Sequence, residues 1–407
     1  MKVAIVGAGA AGLMCACMLP KTCDVTVFDK NPISGKKLLI TGNGRCNVTN
    51  LVKPDQFLKS VPQNSEFLAH SISNFTPQHM VEFLDDLGIQ TQVEDNNRVF
   101  PKQGGAVAVK QALENFATSR GVKFIFNSNV TSIDRSANGF DVSISDSEVK
   151  HLFDAVIVAT GGLSFPMTGS SGDGYRFGSS FGHDVVSPRP ALCGLQFQKP
   201  TGFQGSTVTC GIEIVDKAFK PMTTKETGNL LFTKSGVSGP PIFKTVSNFK
   251  KQTISDHFLQ IDFAPKLTHQ ELEKQLPKQL VTHSNKKPFH VLREYAPVAV
   301  ADWLVEISGL PRGKICSHLT KQERALLLQA ITATRVTIKD FEDINTATVT
   351  RGGIDVTGIN PLTMESMLVP RLFFIGEVLD VDALSGGFNL QIAFSTAVAC
   401  AKNYFFD

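Results

Sequence analysis

The N-terminal part of the chain contains two short apolar runs separated by a stretch of helix-forming residues. The first run, Val3 to Val6, is wholly apolar, and the second, Asp24 to Phe28, is a strand pattern with polar residues only at Asp24 and Thr26. The stretch Ala10 to Leu19 lies between them and stops at Pro20. A short, uninterrupted apolar run is typical of a strand buried inside a parallel sheet, and proline cannot continue a helix. The pattern therefore predicts a strand, a helix and a second strand, which form a βαβ unit of an α/β fold.

Hydrophobic patterning predicts further elements up to about residue 160. Helices are expected over 77–87 and 110–119, and strands over 122–126, 140–144 and 153–158, with 140–144 in a hairpin-like region that reaches His151. The segment from Asn31 to Asn50 lacks such a pattern and is expected to be a long loop.

The pattern changes at about Ala191 and changes back at about Thr346. Short alternating strands predict a β-rich part over 191–265, and two capping boxes predict helices over 266–332, followed by a return strand in 333–345. The α/β texture then resumes with a buried strand and a glycine turn over 371–377. We therefore predict a discontinuous domain formed by 1–190 and 346–407, interrupted by an inserted domain over 191–345.

Composition narrows the class of protein. The chain has 407 residues, 42% of them hydrophobic and 19% charged, with a formal net charge of +3. That charge and the absence of a dense Lys/Arg run argue against nucleic acid as a partner, and no apolar stretch is long enough to span a membrane. The eight cysteines form no C-x-x-C pair and the nine histidines form no ligand cluster, so we expect no metal and reduced thiols in a cytoplasmic protein.

The first glycine turn carries the G-x-G-x-x-G pattern of dinucleotide-binding folds. Gly7 permits a tight turn, Gly9 lets a pyrophosphate approach the backbone, and Gly12 lets the helix pack closely on the strand. Asp29 ends the second strand, 20 residues after Gly9, where such folds place the carboxylate that binds the ribose hydroxyls. A solvent-facing aspartate at a strand end is the alternative. A bound dinucleotide is the prediction.

Four glycine-rich turns indicate which dinucleotide is bound. They lie at 7–12, 42–47, 159–162 and 376–391, and an NAD-only dehydrogenase needs mainly the first. A flavin with its ribityl arm needs contacts spread along the chain, so FAD explains the pattern best. A helix of about twelve residues is predicted to begin near Asn389, after Gly386 and Gly387. Its N-terminus would stabilise negative charge on the reduced flavin ring.

Six motifs together resemble the YhiN-type flavoproteins, also called the aminoacetone oxidase family of FAD-binding enzymes or NAD(P)/FAD-dependent oxidoreductases. They are GAGAAGL, GKKLLITGNGRCNVTN, ATGGLSFPMTGSSGDGY, FTKSGVSGP, TRGGI and TMESMLVPRLFFIGEVLDVDALSGGFNLQIA, within residues 3–398. The resemblance implies one FAD per chain, a glutathione-reductase-type (Rossmann-like) FAD domain and an inserted domain of barrel plus helices. Some members are linked to amine oxidation or to reduction of unsaturated steroid ketones.

By position, the resemblance implies cofactor-binding residues in several segments. Those expected at the pyrophosphate and ribose are Gly7, Gly9, Ala10, Ala11, Gly12, Asp29 and Lys30. Those expected along the phosphates or the flavin are Lys36, Lys37, Thr41, Gly42, Asn43, Gly44, Arg45, Cys46 and Asn47. Those expected at the adenosine are Val130, Ala159, Thr160 and Gly161. Those expected to close on the flavin are Gly376, Glu377, Asp380, Gly387, Phe388, Asn389, Leu390 and Gln391.

The sequence departs from the family pattern at three positions. Lys234 stands where many relatives have histidine, Phe388 replaces the usual tyrosine, and Thr41 replaces serine but keeps a hydroxyl. Lys234 is therefore either a substituted proton donor or a surface residue.

No catalytic residue is assigned from the sequence. Cys46 has no second cysteine five residues later, which favours a structural cysteine over a redox thiol. Glu377, Asp380 and Asp382 are more typical of carboxylates that pin a glycine turn than of a general base, and Arg45 is a candidate to polarise a carbonyl.

These features predict a cytoplasmic FAD-dependent oxidoreductase that passes a hydride between a small organic substrate and flavin N5. NAD(P)H, as a transient donor, or oxygen would complete the cycle. The alternative is an FAD-bound protein associated with nucleic acid, similar to enzymes that modify transfer RNA, or a regulatory protein without turnover of its own. A basic surface on the inserted domain would favour that alternative, and Lys250-Lys251 and Lys286-Lys287 are the small basic clusters there.

Overall fold

The computed structural model describes residues 1–145 and 149–405. The strands of the first part are β1 (Lys2–Val6), β2 (Asp24–Phe28), β3 (Thr49–Asn50), β4 (Thr91–Glu94), β5 (Arg98–Pro101), β6 (Lys123–Ile125), β7 (Val130–Ser136), β8 (Gly139–Ile144), β9 (His151–Phe153), β10 (Ala155–Val158) and β11 (Val185–Ala191). Those that follow are β12 (Leu195–Phe197), β13 (Thr207–Val215), β14 (Glu226–Phe232), β15 (Gly236–Ser238), β16 (Phe258–Asp262), β17 (Thr334–Phe341), β18 (Val349–Ile354) and β19 (Leu372–Phe374).

The helices are distributed over the same chain. They are α1 (Ala10–Met18), α2 (Lys36–Ile40), α3 (Pro54–Leu58), α4 (Ser65–Asn74), α5 (Pro77–Asp86), α6 (Gly105–Ser119), α7 (Asp173–Ser180), α8 (Pro240–Asn248), α9 (His269–Thr282), α10 (Phe289–Leu292), α11 (Val298–Ile307), α12 (Lys321–Thr332) and α13 (Phe388–Phe405).

The chain divides into two compact units. One comprises Met1–Ala191 and Ile344–Asp407, and the other comprises Leu192–Asp343. The sequence places the insertion at 191–345.

The first unit is built on a parallel five-stranded sheet in the order β19-β10-β1-β2-β6. β1 pairs with β2 on one side and with β10 on the other, with Val3 opposite Val25 and Ala155. The apolar residues of β1 and β10 are almost completely buried, as expected for the centre of a parallel sheet whose faces are covered. Helix α1 packs against α6 and α13. The same unit holds the antiparallel sheets β3-β5-β4 and β7-β8-β9 and the antiparallel pair β11-β18.

The second unit is a closed antiparallel barrel in the order β12-β15-β14-β13-β16-β17, with helices α8 to α12. The two capping boxes form as predicted: Thr268 and Thr320 begin α9 and α12, and each bonds reciprocally with a glutamate at the third helical position. Trp303 packs its ring against Phe203 and Phe232. The parallel sheet and the barrel with its helices confirm the predicted fold class.

Two sequence-based expectations were wrong in detail. The segment 31–50 is not a continuous loop, because it contains α2, a 3-10 turn over Thr41–Gly44 and the short strand β3. Elements this short show no hydrophobic period, so the pattern misses them. The C-terminal helix has 18 residues rather than about twelve. Packing in the core supports it over most of its length, since every residue from Gln391 to Ala401 is buried.

Candidate functional site

The glycine turns predicted to hold a cofactor follow the carboxyl ends of the central strands. β1, β2, β10 and β19 are parallel. Gly7, Asp29, Ala159 and Gly376 therefore all lie at the carboxyl ends of the strands, on the same side of the sheet. The backbone N–H of Ala159 donates to the carbonyl of Val6 at 2.8 Å, which ties two of the turns together. Residues from four distant parts of the sequence therefore meet at the edge where open α/β sheets bind ligands.

Two of the three motif glycines are required by the protein itself. Gly7 has a φ of 107°, and a Cβ there would lie 2.5 Å from the carbonyl oxygen of Ala159. A Cβ on Gly12 would lie 1.9 Å from the carbonyl oxygen of Gly7. Both distances are far below any contact that a Cβ makes, so only glycine fits the tight turn and the close approach of α1 to β1.

Gly9 differs from the other two glycines. Its φ of −75° and ψ of −168° suit any residue, and a Cβ there would meet no protein atom within 4 Å. Gly9 is also the N-cap of α1, and no side chain caps the first N–H groups of that helix. The protein's own packing therefore does not explain this glycine, whereas a ligand lying against the backbone would.

The carboxylate of Asp29 joins the glycine turn to the following loop. One oxygen accepts from the N–H of Ala8 at 2.7 Å, and the other accepts from the backbone and side-chain nitrogens of Asn31 at 2.8 and 3.0 Å. A carboxylate offers about four acceptor positions, so one remains for a ribose hydroxyl.

The three predicted lysines have protein partners. Lys30 forms an ion pair with Asp173, and the Nζ of Lys36 donates to the side-chain oxygen of Asn31 at 3.3 Å. Lys37 belongs to a polar cluster that also contains Glu377.

This polar cluster joins α2 to the turns after β10 and β19. The Nζ of Lys37 donates to a carboxylate oxygen of Glu377 and to the hydroxyl of Ser164, both at 2.7 Å. The other oxygen of Glu377 accepts from the N–H of Thr350 at 3.0 Å, and the hydroxyl of Thr350 accepts from the N–H of Ser164 at 2.9 Å. Ser164 and Thr350 are buried. They lie in the motifs ATGGLSFPMTGSSGDGY and TRGGI, but the sequence analysis assigns neither of them a role. The cluster fixes the positions of the turns at the carboxyl ends of β10 and β19.

The segment Thr41–Gly44 forms a left-handed turn. Gly42, Asn43 and Gly44 have φ values of 56°, 55° and 82°, and all three residues are exposed. Glycine and asparagine tolerate this conformation better than other residues, which explains the G-N-G sequence. Thr41 begins the turn by donating its hydroxyl to the carbonyl of Leu38 at 2.6 Å, and Asn47 follows it, half-buried.

Arg45 lies on the surface beside this turn. Its guanidinium forms an ion pair with Glu94 and lies 4.2 Å from the ring centroid of Phe100. The ion pair uses some of the five N–H donors of the guanidinium, and about half of the side chain is exposed. The remaining donors can bind a ligand.

Cys46 is completely buried, with a φ of 60°. Burial raises the pKa of its thiol to about 12, with a smaller opposing effect from a hydrogen bond with Thr41. At neutral pH the side chain is therefore a protonated thiol rather than a nucleophilic thiolate.

Asp380 and Asp382 are buried carboxylates with protein partners. Asp380 accepts from the side chains of Gln63 and Asn64 and from the N–H of Gly352. Burial raises the pKa of Asp380, and the hydrogen bond from Asn64 has a smaller effect in the opposite direction. Asp382 accepts two bonds from the guanidinium of Arg351, at 2.7 and 2.6 Å. Both aspartates hold the loop that precedes the last glycine turn.

The last glycine turn packs on β3. A Cβ on Gly387 would lie 2.3 Å from the carbonyl oxygen of Thr49, so this glycine is required by packing. Asn389 accepts from the N–H of Ala383 at 2.9 Å and donates to its carbonyl at 2.8 Å, and with Leu390 it is half-buried at the start of α13.

Two predicted residues in this region point into the protein. The side chain of Gln391 is completely buried and donates to the carbonyl of Phe75 at 2.9 Å. The ring of Phe388 is buried, with its centroid 5.0 Å from that of Phe57. The hydrogen bond of Gln391 and the ring packing of Phe388 hold the first turn of α13 in place.

The residues expected at the adenosine lie in two segments of the first unit. Val130 is buried at the start of β7. Thr160 and Gly161 follow β10 half-buried, and Gly161 has a φ of 73°. A Cβ on Gly376 would lie 2.8 Å from the Cβ of Ala11, so Gly376 is needed where its turn meets α1.

Lys234 lies in the second unit, in the turn between β14 and β15, and is exposed. Within 1–145 and 149–405, no three His, Cys, Asp or Glu side chains are grouped to hold a metal ion. Over the same ranges, the helices are too short or too polar to cross a membrane.

Residues 1–403 match the family described as the HI0933-like protein Rossmann domain. Ribosomal RNA dihydrouridine synthase of Escherichia coli is 30% identical over 401 residues, 98% of this chain and 96% of the relative. The protein of the same name from Haemophilus influenzae is 32% identical over 409 residues, with the same coverage. The 3-dehydro-bile acid delta(4,6)-reductase of Clostridium scindens is 28% identical over 410 residues, 98% of each chain.

A solved structure of 3-ketosteroid-delta4-(5alpha)-dehydrogenase from Rhodococcus jostii superposes with a TM-score of 0.52 at 13% identity, covering 98% of this chain and 96% of the other, which shows a shared fold. Because the family match spans nearly the whole sequence, the resemblance indicated by the motifs is confirmed. The chain belongs to the HI0933-like family of Rossmann-domain proteins.

Proposed function

We propose that the protein is an FAD-dependent oxidoreductase that reduces a carbon–carbon double bond conjugated to a carbonyl group. The observation that carries the cofactor assignment is the contrast among the motif glycines. Gly7 and Gly12 are fixed by backbone contacts, but Gly9 faces open space at the uncapped start of α1. That is where a dinucleotide fold receives the pyrophosphate.

The residues present suit the chemistry of FAD. Asp29 retains an acceptor position for a ribose hydroxyl, and the first N–H groups of α1 are free of side-chain caps for the phosphates. When bound, FAD supplies hydride transfer at N5. The polar cluster of Lys37 and Glu377 would hold the turns around it, and the start of α13 would lie at the ring.

The names of the relatives support one reaction class. A dihydrouridine synthase saturates a double bond of uracil, and a 3-dehydro-bile acid delta(4,6)-reductase saturates double bonds of a ketone. In both compounds a hydride would add to the carbon β to a conjugated carbonyl, the carbonyl oxygen would take up the negative charge, and a proton from solvent would then complete the saturation at the α carbon. A hydrogen-bond donor at the carbonyl oxygen stabilises that charge. We propose Arg45 for this role in the present chain, because its guanidinium is exposed and keeps free donors.

Ribosomal RNA is the first substrate to test. The two relatives named for it are 30% and 32% identical to this chain over nearly the full length of both proteins. A small unsaturated ketone is the second candidate, supported by the 28% identity to the bile-acid reductase.

The test is single-turnover reoxidation of the reduced flavoprotein. The purified protein is reduced without oxygen and then mixed with deproteinised ribosomal RNA or with a steroid enone, while the flavin absorbance is followed. We expect one of them to restore the oxidised spectrum, and RNA digests to contain dihydrouridine if RNA is the substrate. Reduced free FAD mixed with the same compounds is the control. A protein that carries no FAD, or one whose flavin neither compound reoxidises, contradicts the proposal.

A further inference from the structure

The small net charge of the whole chain conceals an uneven distribution between the two units. Residues 192–343 contain 20 Lys and Arg against 14 Asp and Glu, a net charge of +6. The remaining residues contain 20 against 23, a net charge of −3. The positive charge of the protein is therefore concentrated in the barrel-and-helix unit, where it can attract a polyanion.

Among the segments of this unit that carry cations and no carboxylate, two lie side by side. The segment 283–293 contains Lys286, Lys287 and Arg293, and the segment 307–322 contains Arg312, Lys314 and Lys321. Two backbone hydrogen bonds hold the segments side by side. The N–H of Cys316 donates to the carbonyl of Lys286 at 2.8 Å, and the N–H of Ser317 donates to the carbonyl of Ser284 at 3.1 Å. We call the two segments together the basic edge.

The carboxylates bordering the basic edge leave several of its cations unneutralised. Glu306 pairs with Arg312 at 3.2 Å, and Glu323 pairs with Lys314 at 2.8 Å. Glu294 accepts from the side chains of His283 and Gln279, both at 2.7 Å. Lys286, Lys287, Arg293 and Lys321 are exposed, and none is within 4.0 Å of a carboxylate of the described residues.

We propose that the basic edge binds the phosphate backbone of structured RNA. This inference rests on ribosomal RNA being the substrate in the proposed function. One uracil base offers few contacts, so the affinity for a long RNA must come mainly from sequence-independent contacts with phosphates. Exposed lysines and arginine without carboxylate partners are suited to such contacts, because binding phosphate does not require an ion pair within the protein to break.

The test compares two variants of the full-length flavoprotein. Lys286→Ala/Lys287→Ala removes two adjacent exposed lysines from the basic edge. Lys250→Ala/Lys251→Ala removes two adjacent exposed lysines of the same unit that follow α8, and so makes the same change in net charge. Binding of deproteinised ribosomal RNA is measured over a range of salt concentrations, together with flavin content and reoxidation by a small enone.

We expect the basic-edge variant to bind RNA about tenfold or more weakly at moderate salt. The slope of log affinity against log salt should fall by about one to two, since each lost phosphate contact changes it by roughly 0.7–0.9. The control variant should bind like the unmodified protein, and flavin content should be unchanged in both.

The outcomes separate this inference from the proposed function. Equal weakening in the two variants would overturn the inference, because general charge rather than the basic edge would bind RNA. Competition by polyglutamate as effective as that by RNA would also overturn it, since the surface would then accept an acidic protein equally well. Specific weakening of binding by the basic-edge variant, with no dihydrouridine formed by the unmodified protein, would support the basic edge and refute the proposed substrate.

Discussion

Replacing Gly9 by alanine should separate cofactor binding from folding. The new Cβ meets no protein atom within 4 Å, and the backbone at φ −75° and ψ −168° accommodates alanine without strain. The free energy of unfolding of the FAD-free protein should therefore change by no more than about 1 kcal/mol, as for a modest change of N-cap residue. A methyl group against the pyrophosphate should remove at least one charge-assisted hydrogen bond, about 1.5–3 kcal/mol. That corresponds to roughly a tenfold to hundredfold increase in the Kd for FAD.

Gly12→Ala is the matched comparison, because the substitution is the same and the site is one turn away. Its Cβ would lie 1.9 Å from the carbonyl oxygen of Gly7, so the FAD-free protein itself should be strongly destabilised. Thermal unfolding of the FAD-free proteins and fluorescence titration with FAD measure the two effects separately. A Gly9→Ala protein that binds FAD as tightly as the unmodified protein would refute the reasoning. A loss of clearly more than about 1 kcal/mol in the free energy of unfolding of its FAD-free form would refute it as well.

Two further predictions concern the cysteine and the C-terminal helix. Cys46→Ser should retain FAD, and its steady-state rate of reduction by a nicotinamide donor should stay within about tenfold, or 1.4 kcal/mol, of the unmodified protein. The reason is that the thiol is buried and its pKa is about 12. A charge-transfer band that appears on reduction of the unmodified protein and disappears in the variant would contradict this. Asn389→Asp should lower the flavin midpoint potential by about 20–40 mV, because a negative charge at the start of α13 opposes an effect of about 1–2 kcal/mol on the reduced flavin. A redox titration of both proteins measures the shift, and an unchanged potential with FAD bound would show that α13 does not face the ring. Gly387 is unsuitable for this test, because a side chain there would collide with Thr49.

The sequence predicts only some of the long elements: it misses α4 (Ser65–Asn74), and α8 (Pro240–Asn248) lies in the part expected to be β-rich. β1, α1 and β2 lie where the apolar runs and Pro20 place them, and both capping boxes begin helices. The short elements α2 and β3 escape prediction because they depend on tertiary contacts rather than on a period of their own. Helix α6 begins at Gly105, five residues before the predicted start. The start was missed because the N-cap, Gly104, has a left-handed backbone, and a glycine in such a position indicates a turn in the sequence.

The candidate site is less predictable than the fold, because its contacts join distant segments. The G-K-K motif marks Lys37 and the glycine turn marks Glu377, but no rule predicts that the two side chains meet or that Ser164 and Thr350 complete their hydrogen bonds. The sequence also does not predict whether a given side chain points into the protein or toward its surface. Gln391 lies beside Leu390 in the same motif, yet its side chain is completely buried while that of Leu390 is half-buried. The assignment of individual residues to the cofactor therefore stays a prediction.

The position of β19 in the sequence has a consequence for folding during synthesis. β10 pairs with β1 on one edge and with β19 on the other, and the whole barrel-and-helix unit is encoded between β10 and β19. As the chain leaves the ribosome, β17 can close the barrel before β19 exists, while the apolar edge of β10 waits without a partner. An unpaired apolar strand edge invites association with other chains. The inserted unit should therefore finish folding first, and the interval until Phe373 emerges is when the nascent protein is most exposed to aggregation.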